Sequence, residues 1–277
     1  MRLRSILSWL SKRRDGALPL RNVSLCVNLD QCNLRCVMCW TTYSRGRHRR
    51  DEREMNLPRE RLLELLRDPS LVELDSICVV GGGEPFLYPW IDDLLRDGPT
   101  GTRRLMIMTH GGLLDRNRAV WEVARERPLT VMVSIDGATA ATYERIRLGG
   151  RWSRVVANVE RLAGLPAVNP RFELAASYVV LEQNLDEVLD FVRLCIAWNV
   201  RYVHFHPAIA GEYPDTWRVD RGSQRYRDVM GRRSRCAARP ESRSTRQKSC
   251  SLSRPGARQR QGAGPTRGGD AACRSIR

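Results

Sequence analysis

Two rhythms alternate along this chain. Short runs rich in Val, Ile and Leu occur at Val23 to Leu29, Ser76 to Val80, Leu105 to Thr109, Leu129 to Ile135, Phe172 to Leu181 and Arg201 to His206. Runs of this kind predict buried strands of a parallel sheet. Between them, apolar residues return every three or four positions, the spacing that places them on one side of a helix. Asn56 and Pro58 open one such segment, with Leu62, Leu63, Leu65 and Leu66 as its apolar face, and Trp90, Ile91, Leu94 and Leu95 mark the next. Val120, Val123 and Ala124 form a third stripe, and Val155, Val156, Val159 and Leu162 a fourth, closed by Gly164 and Pro166. Asn184 and Glu187 read as a capping box leading into Val188, Leu189, Phe191, Val192 and Leu194.

Strands that alternate with helices imply parallel pairing through crossover connections, hence an α/β fold. A closed barrel of this type needs eight strand-helix units. The pattern supplies six, so the expectation is a partial (β/α)6 TIM-like barrel, with a doubly wound sheet as the competing architecture. In both, functional groups collect in the loops beyond the C-terminal ends of the strands.

The pattern divides the chain into an N-terminal extension (1–21), a core domain (22–210), a linker (211–230) and an Arg-rich tail (231–277). After about Met230 the periodicity fails and Arg, Ser, Gly, Gln and Pro dominate. Such a segment buries too little apolar surface to offset its ordering entropy, and a disordered basic tail is expected. Charge follows the same division. Of the net +16, residues 221–277 hold +13, leaving the body close to neutral at +3. The charge therefore belongs to the tail, which reads as a solvated arm or a nucleic-acid-binding one, and nucleic acid is not the expected partner of the body. Arg-, Ala-, Gly- and Pro-rich sequence without periodicity is also what an out-of-frame reading of a GC-rich gene produces.

No apolar run approaches the roughly 18 residues of a membrane-spanning helix, and Ile6 to Leu10 is too short for a signal-peptide core, so no membrane association is expected. Nine cysteines with clustered spacing suggest metal rather than disulfide chemistry, and with it a reducing cytoplasm.

Directly beyond the first strand run the chain reads Cys32-Asn-Leu-Arg-Cys36-Val-Met-Cys39-Trp40. Thiolates are soft ligands suited to iron-sulfur clusters and to zinc, and a short irregular loop can wrap three around one centre. A structural zinc site wants a fourth ligand; His48 is available, but no second Cys-x2-Cys pair at zinc-ribbon spacing follows. Three ligands to a cubane leave one iron open for a small molecule. This Cys-x3-Cys-x2-Cys motif resembles the cluster loop of the radical S-adenosylmethionine (radical SAM) superfamily.

That resemblance implies a 4Fe-4S cluster on Cys32, Cys36 and Cys39, S-adenosyl-L-methionine chelated at the open iron, and reductive cleavage to a 5'-deoxyadenosyl radical that takes hydrogen from a substrate. It also implies an electron donor such as a flavodoxin or ferredoxin. Gly81-Gly82-Gly83-Glu84-Pro85, after the second run, resembles the family's segment contacting the methionine amino group. Its spacing matches neither a phosphate loop nor a dinucleotide fingerprint. Thr109-His110-Gly111 resembles a Thr-Asn-Gly segment near the cofactor ribose, and His110 is a departure from it that reads equally as a turn residue. Ser134 and Asp136, in Ser-Ile-Asp-Gly, resemble a cofactor-contacting segment, although Asp-Gly alone also suits a hairpin turn. Arg147 matches an arginine that pairs with the cofactor carboxylate in some relatives, or reads as a solvated helix residue.

Cys26, Cys78 and Cys195 read as packed core residues, and His204 and His206 as structural histidines or barrel-mouth groups. Cys236, Cys250 and Cys273 lack the spacing of an auxiliary-cluster domain. The substrate, a peptide or a small molecule, is not specified by any motif. The rival reading is a non-catalytic, metal-stabilised remnant with a basic nucleic-acid-binding tail, marked by salt-dependent retention on DNA or RNA that truncation at residue 220 abolishes.

Overall fold

In the computed structural model, which describes residues 21–29, 31–39, 56–67, 74–98, 104–208 and 218–236, six parallel strands pair in strict chain order. They are β1 (Asn22–Cys26), β2 (Ser76–Val80), β3 (Arg104–Thr109), β4 (Leu129–Ser134), β5 (Glu173–Val180) and β6 (Tyr202–Pro207). A doubly wound sheet would reverse its strand order at a switch point. This sheet never does, and β1 and β6 do not pair with each other, so it is a half-barrel. The six strand runs read from the sequence match these elements to within a few residues at their ends.

The helices are α1 (Arg59–Leu66), α2 (Ile91–Asp97), α3 (Arg118–Glu126), α4 (Ala140–Ile146), α5 (Trp152–Ala163), α6 (Val188–Ala197) and α7 (Gln224–Cys236). Strand alternation sorts the side chains. Leu25, Ile77, Val79, Leu105, Ile107, Val131, Val133 and Tyr178 pack in one core with Leu62, Leu94, Val120, Val155, Val159 and Phe191 of the helices. Each such side chain removed from water contributes roughly 1.5–3 kcal/mol. Tyr178 anchors one end of this layer, with ring centroids 4.7 Å from Phe191 and 5.5 Å from Phe205.

The opposite face of the sheet carries Cys26, Cys78, Met106, Met108, Ser134, Ser177, His204 and His206, in positions that alternate with the packed ones. This corrects the expectation for two cysteines. Cys195 is buried, but Cys26 and Cys78 are half-buried and belong to the concave surface, where the Cys78 sulfur lies 3.6 Å from Met106 Sδ.

Two local expectations also change. Asn184 and Glu187 do not form a capping box: a 3-10 turn (Leu185–Glu187) precedes α6, and neither side chain caps it. Asn184 Oδ1 instead accepts from Leu181 N, and its Nδ2 donates to Val179 O and Asp136 O. Glu187 accepts from Ala138 N at 2.6 Å and from the Thr139 and Thr142 hydroxyls. Both side chains serve the loop after β4. Second, α7 occupies part of the stretch read as linker and the first residues read as tail. Its Tyr226, Val229 and Met230, at helical spacing, pack against the core, and Arg225 pairs with Asp186 at 2.8 Å and with Glu182. The N-terminal extension up to residue 20 and the tail beyond 236 lie outside the described residues, as does His48. No described helix is long and apolar enough to cross a membrane.

Candidate active site

The loop that follows β1 brings Cys32, Cys36 and Cys39 to the C-terminal edge of the half-barrel. Bonds within the loop and to the end of α4 hold it there. A turn bond from Cys39 N to Cys36 O, 3.1 Å, shapes the loop itself. Val37 N and Arg35 N donate to the carbonyls of Ile146 and Leu148 at the end of α4, both at 2.9 Å. The chain at 148–150 comes close because Gly149 sits at φ +89°, with its would-be Cβ 3.4 Å from Asn33 O.

The glycine run after β2 is packed against the same loop. A Cβ on Gly82 would lie 1.7 Å from Leu29 O, and one on Gly83 would lie 1.9 Å from Gln31 O. Only hydrogen fits at those positions. The amides there are committed: Gly82 N donates to Asn28 O at 2.8 Å, Glu84 N to Gln31 O at 2.7 Å, and Gly83 N to Asn28 Oδ1 at 3.2 Å. Asn28, only 1% exposed, returns a bond from Nδ2 to Glu84 O at 2.8 Å. Asn28 was missed by motif reading, although a polar residue interrupting the apolar run before Cys32 is a usable signal.

Glu84 is 2% exposed and ties β2 to β3. Its carboxylate accepts from the Thr109 hydroxyl at 2.6 Å, His110 N at 2.9 Å and Phe86 N at 3.2 Å. Pro85, buried, starts the short turn that follows. Thr109 in turn accepts from Gly111 N at 3.0 Å, so its hydroxyl is engaged within the protein. The undecided His110 acquires a definite role. Gly112 N donates to Nδ1 at 2.9 Å, which leaves the proton on Nε2, and Nε2 reaches Asn33 Oδ1 at 2.9 Å. His110 thus ties the end of β3 to the cysteine loop. Burial holds its pKa below 6.5, against the raising effect of Glu84.

Beyond β4 the arrangement is electrostatic. Asp136 is fully buried and accepts from Val179 N at 2.7 Å, and its other oxygen lies 2.7 Å from Arg147 NH2. Arg147 is 7% exposed, which rules out the solvated-helix reading, and its NH1 donates to Cys36 Sγ at 3.8 Å. Burial is the largest single influence on Arg147 and opposes its charge, but the Asp136 carboxylate, Cys36 and Tyr143 together outweigh it and hold the guanidinium above its ordinary pKa. For Asp136, burial raises the pKa while Arg147 and the Val179 amide lower it. Burial pushes the Cys36 thiol up to about 12, with Arg147 pulling down and Cys39 and Cys32 adding to the rise. Ser134 is half-buried at the end of β4, beside Ser177 in register. Ser177 shares a 2.9 Å hydrogen bond with His206 on the concave face.

The sequence-read residues therefore converge from four strand ends on one loop. Cys32, Cys36 and Cys39 lie on that loop, and Glu84 with Thr109 and Asp136 with Arg147 link the strand ends that meet it. Among the described residues no group of three or more His, Cys, Asp or Glu side chains closes on a single metal ion. By its chemistry the donor set fits a thiolate-ligated centre: three thiols on one loop, a buried cation at one of them, and the Arg147 Nε buried without a hydrogen-bond partner among the described residues.

A half-barrel with a thiol-bearing loop at its C-terminal edge defines the architectural class of a cofactor-dependent α/β enzyme, and comparison gives the family. The model of the radical SAM superfamily matches residues 29–206, and the chain belongs to that family. A GTP 3',8-cyclase of Microcystis aeruginosa is 28% identical over 193 residues, which cover 66% of this chain and 56% of that protein. An AdoMet-dependent heme synthase of Methanosarcina barkeri is 27% identical over 165 residues, 57% of this chain and 42% of that protein. The chain thus spans about half the length of such curated relatives. Among solved structures, Streptococcus suis SuiB bound to S-adenosylmethionine superimposes with a TM-score of 0.60 at 17% identity, covering 83% of this chain and 50% of that one. TYW1 with a lysine-pyruvate adduct superimposes with a TM-score of 0.53 at 16% identity, covering 83% and 80%. The superfamily implies S-adenosylmethionine and an iron-sulfur cluster, and at these identities the structural likeness supports the half-barrel fold.

Proposed function

We propose that this chain is the core of a radical SAM enzyme in which Cys32, Cys36 and Cys39 hold a 4Fe-4S cluster and Gly81, Gly82, Gly83, Glu84 and Pro85 frame the S-adenosylmethionine site. Bound there, the cluster and cofactor supply one-electron cleavage of the sulfonium to methionine and a 5'-deoxyadenosyl radical that removes a hydrogen atom from substrate. The observation that carries the reading is the convergence on the cysteine loop, which itself follows β1, of the separately encoded segments after β2, β3 and β4, with a buried guanidinium at the Cys36 sulfur.

The protein's own work is positional. Asn28, Glu84 and His110 fix the loop, and Thr109, Ser134 and Asp136, at the ends of β3 and β4, are the proposed neighbours of the cofactor's nucleoside end. Arg147 Nε and Asp136 Oδ2 are both buried without a hydrogen-bond partner among the described residues, and Arg147 Nε would hold an acceptor group of the bound cofactor or cluster. The substrate, a peptide or a small molecule, lies against the concave face lined by Cys78, Met106, Ser177, His204 and His206. Relatives point both ways, since one is named for GTP and the SuiB structure was also solved with a precursor peptide. A flavodoxin or ferredoxin is the proposed electron source.

Anaerobically reconstituted, reduced protein is expected to bind iron and sulfide and to release 5'-deoxyadenosine from S-adenosylmethionine, whereas Cys36→Ala is not. Zinc uptake in preference to iron and sulfide, or intact cluster without product under every reducing system, overturns the proposal.

A further inference from the structure

We infer that the buried Asp136–Arg147 pair sets how readily the cluster accepts an electron, acting through Arg147 on the Cys36 sulfur; this rests on the reading of Cys36 as a cluster ligand. The pair is built as a fixed dipole. Its positive end, Arg147 NH1, is 3.8 Å from Cys36 Sγ, and Arg147 NH2 is 2.7 Å from Asp136 Oδ2. Both side chains are shielded from water, at 7% and 0% exposure, so the field between them and the sulfur is weakly screened.

Each end is held by a different element. Arg147 N bonds to Tyr143 O at 2.7 Å at the end of α4, and the preceding residue, Ile146, accepts from Val37 N of the cysteine loop. Asp136 is clamped from β5 by Val179 N at 2.7 Å, while Asn184 Nδ2 holds its carbonyl at 3.0 Å. The two ends are thus anchored by separate elements, with the guanidinium between Asp136 and the sulfur. Tyr143 and Tyr178, both buried, and His110 and His206 are the other titratable groups that feel this pair.

The sign of the effect follows from charge. Reduction adds one negative charge to a thiolate-ligated centre, and hydrogen bonds and net charge at the ligand sulfurs are among the levers on its potential. A nearby cation stabilises the reduced form. Asp136, further from the sulfur and of opposite sign, subtracts part of that effect. The two halves of one ion pair should thus move the potential in opposite directions, a signature that mere loosening of the fold does not produce.

The test is an EPR-monitored redox titration of the reconstituted full chain without S-adenosylmethionine, so that any carboxylate-binding role of Arg147 does not enter. Arg147→Gln is expected to lower the reduced-to-oxidised ratio at the wild-type midpoint about tenfold, a shift of about −59 mV for one electron. Asp136→Asn, which keeps an acceptor for Val179 N, is expected to raise that ratio several-fold, and the double variant to fall between. Shifts of the same sign in both single variants, or ratios within twofold of wild type at unchanged cluster content, overturn the inference and leave the pair a structural strut. If Arg147→Gln does not fold, Asp136→Asn decides alone, since a ratio unchanged or lowered is fatal. Wild-type protein that takes up no cubane overturns the functional reading and this inference together; wild-type protein that takes it up, with unmoved variants, overturns the inference alone.

Discussion

The cysteine loop is gripped from two sides by different physics. On the β1–β3 side the contacts to residues 28–33 run through glycines, amides and neutral side chains: Gly82 and Glu84 amides to Asn28 and Gln31, and His110 to Asn33. On the β4–β5 side a buried carboxylate and guanidinium stand behind Cys36. Neutral hydrogen bonds are short-ranged and directional, so the first side decides where the sulfurs sit. A buried ion pair acts over a longer range, so the second side decides the charge environment around one of them. Position and potential are thus assigned to separate residues of one site.

Substitutions can break this division, and the largest effect belongs to the charged side. Arg147→Met leaves Asp136 buried and unpaired, which is expected to cost about 3–5 kcal/mol in denaturant unfolding. Adding Asp136→Asn to that variant should restore a large part of the loss. On the neutral side, Gly82→Ala forces a Cβ against the Leu29 carbonyl and is expected to cost on the order of 3 kcal/mol, with iron uptake reduced. Gly164→Ala, where the nearest atom is 3.7 Å away, is the matched control and should stay within about 0.5 kcal/mol.

A smaller effect comes from His110→Ala, which removes the tie to Asn33 and leaves buried groups unpaired, at about 1–3 kcal/mol. His110 also gives this side a pH dependence. Its folded pKa lies below the unfolded 6.5, so the unfolded chain binds the proton more readily. Its contribution is therefore fully present above about pH 6.5 and is lost as pH falls through the lower folded value. His110→Ala should flatten the acid limb of a stability-versus-pH curve, and an unchanged limb would count against a buried neutral histidine. Arg225→Ala on α7 marks the floor, at up to about 1 kcal/mol and diminishing with added salt, because its partners Glu182 and Asp186 are exposed.

Much of the neutral side was legible in the sequence. Glycines that must meet backbone leave a run, clustered thiols leave a spacing, and parallel strands leave uninterrupted apolar stretches, so residues 32–39 and 81–85 and all six strands could be read. The charged side was legible only as residue identities. Nothing in the spacing of Asp136 and Arg147 announces that both are buried and face each other, because α4 brings them together through tertiary packing. Asn28, Asn184 and Glu187 escaped for a related reason. Bonds of each reach segments far apart in the chain, and Asn184 with Glu187 imitated a local cap while serving the loop after β4. Helix α7 was missed where a strongly basic composition hid the spacing of Tyr226, Val229 and Met230.

The ties of Asn28, Gln31 and Asn33 to the strand ends, and of Arg35 and Val37 to the end of α4, are all made by protein atoms. The loop is thus framed by hydrogen bonds of the fold itself, so if it holds the proposed cluster its ordering entropy is met largely by the half-barrel rather than by ligation. Unlike a finger domain that collapses without its zinc, this chain should survive chelation with its frame standing. Hydrogen exchange would then quicken at the thiol-bearing tip around Leu34 and Cys39 and stay slow along β2 and β3.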